Sequence, residues 1–244
     1  MRYKITVEYD GTLTCGWQRQ AHQISVQGML EEAIFRLSQE KVDVTAAGRT
    51  DAGVHAFGQV AHFDLEKDFQ ENNIRQGINF YLAGKPVSVI DAEKVSPDFS
   101  ARFSAKKRYY KYIIMNRSSV PVIDRNRVWH IPHPLDIKAM KKAAKHLKGY
   151  HDFSSFRSSE CQATKTLRTL DKIKIEQDGE YIYLYFSALS FLHHMVRNMV
   201  GTLVEVGAGK RVPSDIPGIL EAKDRRKAGQ TAPACGLYFV GVDY

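Results

Sequence analysis

The order of hydrophobic periodicities restricts the fold of this chain most, because it runs twice through the same succession. Residues 3–9 alternate like a half-buried strand, and Val26, Met29, Leu30, Ala33, Ile34 and Leu37 then recur at helical spacing behind Ser25, a good capping residue. Two strands flank a glycine-bounded loop near residue 51, a short helix follows near 74–82, and a strand covers 87–95. The second half repeats the order with a strand at 108–115, a helix at 136–148, a hairpin of 170–175 and 181–187 turning at Gln177-Asp178-Gly179, a helix at 192–206 and a closing strand at 237–242. Each half reads βαββαβ, with antiparallel strands and its helices on one face. The expectation is an α+β protein of two ferredoxin-like (RRM-like) halves with mainly antiparallel sheets joined around a central cleft. The boundary falls near Ser104, giving an N-terminal half over 1–103 and a C-terminal half over 104–244, with no low-complexity linker between them.

Chemistry concentrates in Gly48-Arg49-Thr50-Asp51-Ala52-Gly53-Val54-His55-Ala56. The two glycines permit turns and close approaches that a side chain forbids, so a ligand can come up to the main chain. In an extended segment Arg49 and Asp51 project to the same side, since side chains two apart share a face. A guanidinium beside a carboxylate keeps it ionised, which suits a nucleophile or general base. A tight turn with a surface ion pair has the same local spacing.

Lys and Arg number 35 against 27 Asp and Glu, a formal charge of +8. That balance favours an anionic partner such as nucleic acid. Cys15, Cys161 and Cys235 are an odd number without a CxxC pair, which indicates neither a disulfide framework nor a zinc site and fits a reducing cytoplasm. The first residues alternate like a strand and lack the apolar run of a signal peptide, and no stretch reaches the roughly 20 apolar residues of a membrane span. A cytoplasmic protein with no membrane partner is the expectation.

On the helix at 192–206, Leu192, Met195, Val196, Met199, Val200 and Leu203 cover more than half the circumference, leaving Arg197 on a narrow stripe with His194, Gly201 and Glu205. A charge there needs a partner, supplied by an anion in the cleft, by Glu205 or by solvent. Tyr109, Tyr110 and Tyr112 stand among Lys106, Lys107, Arg108 and Lys111, mixing rings that stack bases with cations that meet phosphates. Lys138, Lys141, Lys142, Lys145 and Lys148 share a helix face, either a solvated surface or a contact for phosphates, and Arg125, Arg127, Arg225 and Arg226 are further basic candidates.

The string GRTDAGVHA, continued as Gly58-Gln59-Val60, resembles the active-site motif of the tRNA pseudouridine synthase A family, which isomerises uridine to pseudouridine in the anticodon stem-loop of tRNA. Further pieces of that pattern occur in order: Tyr9-Asp10-Gly11-Thr12 with Gly16-Trp17-Gln18-Arg19-Gln20, Ser25-Val26-Gln27-Gly28, Phe99-Ser100-Ala101-Arg102, Arg108-Tyr109-Tyr110-Lys111-Tyr112, His151-Asp152-Phe153, the run from His194 to Gly201, and Gly236-Leu237-Tyr238. The resemblance implies the same two-half fold, Asp51 as the catalytic residue, and Arg197 as the arginine that pairs with it. It makes Tyr110 the ring that packs on the target base, Leu237 the apolar contact beneath the uracil, and Arg49 the side chain that displaces the base from its stack. Gln18, Arg19 and Gln20 resemble residues that embrace the RNA stem, with Lys141 and Lys145 as further RNA contacts. It also implies tRNA as partner and a homodimer.

The implied reaction breaks a glycosidic bond, turns the uracil and rejoins it through C5, which is redox-neutral and calls for no cofactor. Whether Asp51 attacks as a nucleophile or acts as a base at the ribose stays open. No metal is expected. His193 and His194 are adjacent, about 100° apart on a helix, and no HExxH motif or carboxylate partner is read beside them. Val206-Gly207-Ala208-Gly209-Lys210 lacks the first glycine and the final Ser or Thr of a phosphate-binding loop and reads as a helix end. Two other classes compete. A non-catalytic RNA-binding protein lacks its aromatic signature here, and a nucleoside glycosidase usually needs a second carboxylate, of which no match is evident.

Overall fold

The computed structural model describes residues 1–161 and 163–244. In chain order the regular elements are β1 (Arg2–Tyr9), α1 (Val26–Ser38), β2 (Thr45–Ala46), β3 (His55–Asp64), α2 (Glu71–Tyr81), β4 (Val87–Val95), β5 (Lys107–Asn116), β6 (Trp129–Ile131), α3 (Ile137–Leu147), β7 (Gly149–Asp152), β8 (Leu167–Asp178), β9 (Tyr181–Ala188), α4 (Met195–Gly207), α5 (Asp215–Ala222) and β10 (Leu237–Asp243). They form a mixed α+β protein with mostly antiparallel sheet, divided into two compact units, Met1–Lys106 with Tyr238–Tyr244 and Lys107–Leu237.

In the first unit β1 lies between β4 and β3, antiparallel to both. β2 adds to β3 antiparallel and β10 adds to it in parallel, pairing Tyr238 with His55 and Phe239 with Ala56. Alternation along β1 buries Tyr3, Ile5, Val7 and Tyr9. α1 buries Val26, Leu30, Ala33 and Ile34, and α2 buries Ile74 and Ile78. Each such aliphatic side chain stabilises the unit by about 1.5–3 kcal/mol when withdrawn from water. Ser25 caps α1 by accepting the Gly28 N–H at 3.1 Å, and Gln39 ends it in the left-handed region at φ 64°. The segment at 237–242, assigned from the pattern to the C-terminal half, groups with the first unit from Tyr238 onward. The cause is its hydrogen bonding: beyond its pairing with β3, Asp243 O accepts the Lys106 N–H at 2.8 Å and the Tyr244 hydroxyl reaches Ala101 O at 2.9 Å.

In the second unit β9 is antiparallel to both β5 and β8, with β7 antiparallel on β8 and β6 parallel on β5. Gly179, at φ 55°, turns the β8–β9 hairpin, and Asp136 caps α3 through the Ala139 N–H at 2.9 Å. The core gathers Tyr112, Ile114, Met140, Leu147, Phe153, Phe156, Leu184, Phe186, Met199 and Leu203. α4 begins at Met195, three residues after the apolar pattern starts, because His194 lies in the left-handed region at φ 61°. The short strands β6 and β7 and the helix α5 are not marked by the sequence pattern. The glycine-rich segment after Val206 is a helix end, as expected: Ala208 N–H reaches Val204 O at 2.9 Å and Gly209 sits at φ 70°.

Candidate active site

Asp51 lies in the link between β2 and β3. Arg49 is exposed, Thr50 buried and Asp51 half-buried, so the two charged side chains fall to the open side while the threonine turns inward, the alternation that an extended segment gives. The backbone then turns, with Val54 N–H donating to Asp51 O at 3.2 Å and Gly53 at φ 79°. The Asp10-Gly11 turn and the Gly16-Trp17 turn brace this loop. Trp17 N–H donates to Thr50 O at 3.1 Å. Gly16, at φ 96°, runs so close that a Cβ there would stand 2.4 Å from Thr50 O and 2.8 Å from the Asp51 carbonyl carbon. A Cβ on Gly11 would stand 2.1 Å from Val54 O. These glycines are therefore required by close backbone approach.

Three buried polar side chains complete the surroundings, and the residue-by-residue reading of the sequence assigned none of them a role. His55 places Nδ1 3.1 Å from the Gly11 N–H and 3.2 Å from Asp10 Oδ1, its ring stacked on Tyr238 at 4.8 Å. The Tyr9 hydroxyl lies 2.8 Å from Thr50 Oγ1, and the Gln59 amide donates to Gly48 O at 2.8 Å. All three stand inside strings that carry the resemblance, but a string does not name a residue's partner across 41 or 11 positions. Of the candidate RNA-contacting residues in this unit, Arg19 is already engaged by Glu31 at 2.7 Å and Asp43 at 3.7 Å. Gln18 is half-buried and Gln20 exposed.

The second unit carries the remaining candidates. Tyr110, half-buried on β5, meets Phe191 edge-on at 5.0 Å, while Tyr112 is buried and donates to Pro233 O at 2.7 Å. On the opposite strand face Lys111 holds its ammonium 4.3 Å from the Tyr183 ring centre. Burial lowers the Lys111 pKa below its ordinary value and raises that of the Tyr112 hydroxyl. Leu237, the first residue of β10, is 6% exposed.

Arg197 is half-buried on α4, and its Nε donates to Ala232 O at 2.8 Å while Ala232 N–H returns to Arg197 O at 3.2 Å. The stripe it shares with Gly201 and Glu205 is covered by the segment 229–232. A Cβ on Gly201 would sit 1.8 Å from Gln230 O, and Glu205 accepts the Gln230 N–H at 3.1 Å. Glu205 pairs with Arg211 at 2.5 Å.

Among the basic candidates, Lys138, Lys141, Lys142, Lys145, Lys148, Arg125 and Arg127 are exposed. Arg225 instead turns inward, donating to Gly229 O at 2.8 Å and to Asn198 Oδ1 and Thr231 Oγ1 at 3.0 Å each. Arg226 is gripped by Asp224 at 2.8 Å, which drops the Asp224 carboxyl to about 2. Arg225 thus differs from the basic-surface expectation because neighbouring carbonyls and side-chain oxygens supply acceptors, while Arg226 stays on the surface with its side chain 89% exposed.

A family model described as tRNA pseudouridine synthase matches residues 5–104 and 143–244, well over half of the chain. Among curated relatives, a tRNA pseudouridine synthase A of Ehrlichia canis (strain Jake) is 54% identical over 245 residues, covering 100% of both chains. A protein of the same name from Wolbachia pipientis wMel is 53% identical, again over 100% of both. A solved structure, "Crystal Structure of a Cbf5-Nop10-Gar1 Complex", aligns at 12% identity and a TM-score of 0.38 over 83% of this chain and 45% of that one. With the family model spanning both compact units and relatives above half identity along the whole length, this chain belongs to the tRNA pseudouridine synthase family.

Proposed function

We infer that this protein is an isomerase that converts uridine to pseudouridine in tRNA, its target the anticodon stem-loop. The observation that carries this is membership of the family across both units, together with one carboxylate, Asp51, held on a braced loop between close-packed glycines. The reaction breaks the bond between C1′ and N1, forms a bond between C1′ and C5, and moves a proton from C5 to solvent while N1 gains one. Electrons balance without an external oxidant or reductant, so the chemistry calls for no cofactor.

Asp51 is proposed as the catalytic residue, attacking as nucleophile or acting as base at the ribose. Resemblance to the family assigns Arg197 to grip Asp51, Tyr110 to pack on the base, Leu237 to support the uracil and Arg49 to hold the extruded conformation. Gln18, Arg19, Gln20, Lys141 and Lys145 are proposed RNA contacts. A cytoplasmic homodimer is proposed on the same ground, as are two domains of ferredoxin-like plan about a central cleft. Within the first unit, the placement of β1 between β4 and β3, with β2 on β3, supports that plan.

The experiment is direct. Purified protein is incubated with an unmodified tRNA transcript, and pseudouridine is mapped along it. Conversion in the anticodon arm is the expected result. Modification confined to other arms would overturn the stem-loop assignment, and binding without conversion would favour a non-catalytic RNA-binding protein.

A further inference from the structure

The loop that carries Asp51 is held by two buried polar side chains that a purely structural core has little use for. Tyr9 ends β1 just after a shift in register between Val7 and Tyr9. It is 3% exposed, and its hydroxyl lies 2.8 Å from Thr50 Oγ1, on the residue immediately before Asp51. Burial raises the Tyr9 hydroxyl to about 12, so it is a neutral donor and acceptor at any working pH. Gln59 on β3 is 0% exposed. Its amide donates to Gly48 O at 2.8 Å, three residues before Asp51.

Gln59 Oε1, by contrast, has no hydrogen-bond partner among the described residues. A buried acceptor without a partner costs stability. What Gln59 supplies is the donor end, and that end points at the loop. With Trp17 N–H on Thr50 O, the segment Gly48–Thr50 has both its flanking carbonyls and the Thr50 hydroxyl fixed.

We propose that Tyr9 and Gln59 are positioning residues for the isomerisation, which fix the backbone and Thr50 side chain on the approach to Asp51 so that its carboxylate is presented in one direction. Both side chains are buried and act through the loop. The inference rests on the reading of Asp51 as the catalytic group.

A small displacement of a reacting group costs rate far more than it costs binding. Tyr9→Phe removes one oxygen and keeps the buried ring, and Thr50→Val removes the other end of the same hydrogen bond at constant shape. Gln59→Met keeps the length and loses the donor. Single-turnover rates at saturating enzyme, well below each variant's melting temperature, are compared with tRNA affinity by filter binding. Each variant is expected to lose about tenfold in rate, with affinity within about twofold of wild type. The Tyr9→Phe/Thr50→Val double variant should lose no more than either single one, because one bond is being removed twice.

A wild-type rate in both Tyr9→Phe and Gln59→Met would overturn the proposal. So would losses in the double variant that multiply, or losses that appear as weaker tRNA binding at unchanged rate. A wild-type protein that converts no uridine counts against the proposed reaction instead, which keeps the two failures apart.

Discussion

At the level of single residues, the proposed chemistry belongs to one carboxylate and the affinity to many cations. Asp51→Ala is expected to abolish conversion while tRNA binding survives within about threefold, since phosphate contacts spread over the surface dominate affinity. Pseudouridine mapping alongside filter binding checks both halves of the statement. Asp51→Asn should be equally inactive, because the amide keeps the shape and loses both nucleophile and base. Arg197 gives a second prediction. Its Nε is committed to Ala232 O, which orients the guanidinium. An ammonium cannot keep that bond and also offer a planar two-point grip to a carboxylate, so Arg197→Lys should slow single turnover by at least about tenfold despite preserving charge. A near-normal rate whose deficit merely follows salt would assign Arg197 to the general basic surface.

At the scale of elements, α1 and α4 make contrasting predictions. Ser25→Ala removes the α1 cap and should cost about 1 kcal/mol in urea unfolding, leaving the rate per folded molecule little changed. Gly201→Ala pushes a methyl group into Gln230 O, where a Cβ would stand 1.8 Å away. The segment 229–232 must shift, and overpacking of this kind costs about 1–3 kcal/mol. Because Ala232 O anchors Arg197, turnover should fall as well, and a Gly201→Ala protein of normal rate and stability would show that the stripe is not closed. The Ser25 cap, the α1 and α3 faces and the turn at Gly179 were legible in sequence, since each is a local signal a few residues long. The cover over Arg197, Gly201 and Glu205 was not. It depends on residues about 30 positions later, and the same stripe read alone fits a cleft, a salt bridge or solvent equally well. The short strands β6 and β7 are set by pairing with β5 and β8, and their three and four residues carry too little periodicity to stand out. The reach of Tyr9 and Gln59 to the Asp51 loop was hidden for the same reason, because a string of neighbours does not show which residue meets which across the fold.

At the scale of the whole molecule, the formal charge of +8 means that tRNA affinity should fall steeply with salt, linearly in the logarithms of both, and with the same slope for wild type and Asp51→Ala. No helix among the described residues is long and apolar enough to cross a membrane. Because the proposed reaction is redox-neutral and moves only protons and one glycosidic bond, conversion should persist in excess EDTA once the tRNA fold is secured by monovalent salt. A loss of rate restored by zinc alone would contradict that. Isomerisation of uridine through Asp51 is checked by following the proton that must leave C5. With tRNA carrying tritium at C5 of its uridines, wild-type protein is expected to release tritium in step with pseudouridine formation in the anticodon arm, and Asp51→Ala to bind the same tRNA and release none. Release at the wild-type rate by Asp51→Ala, or none by the wild-type protein, would contradict the account.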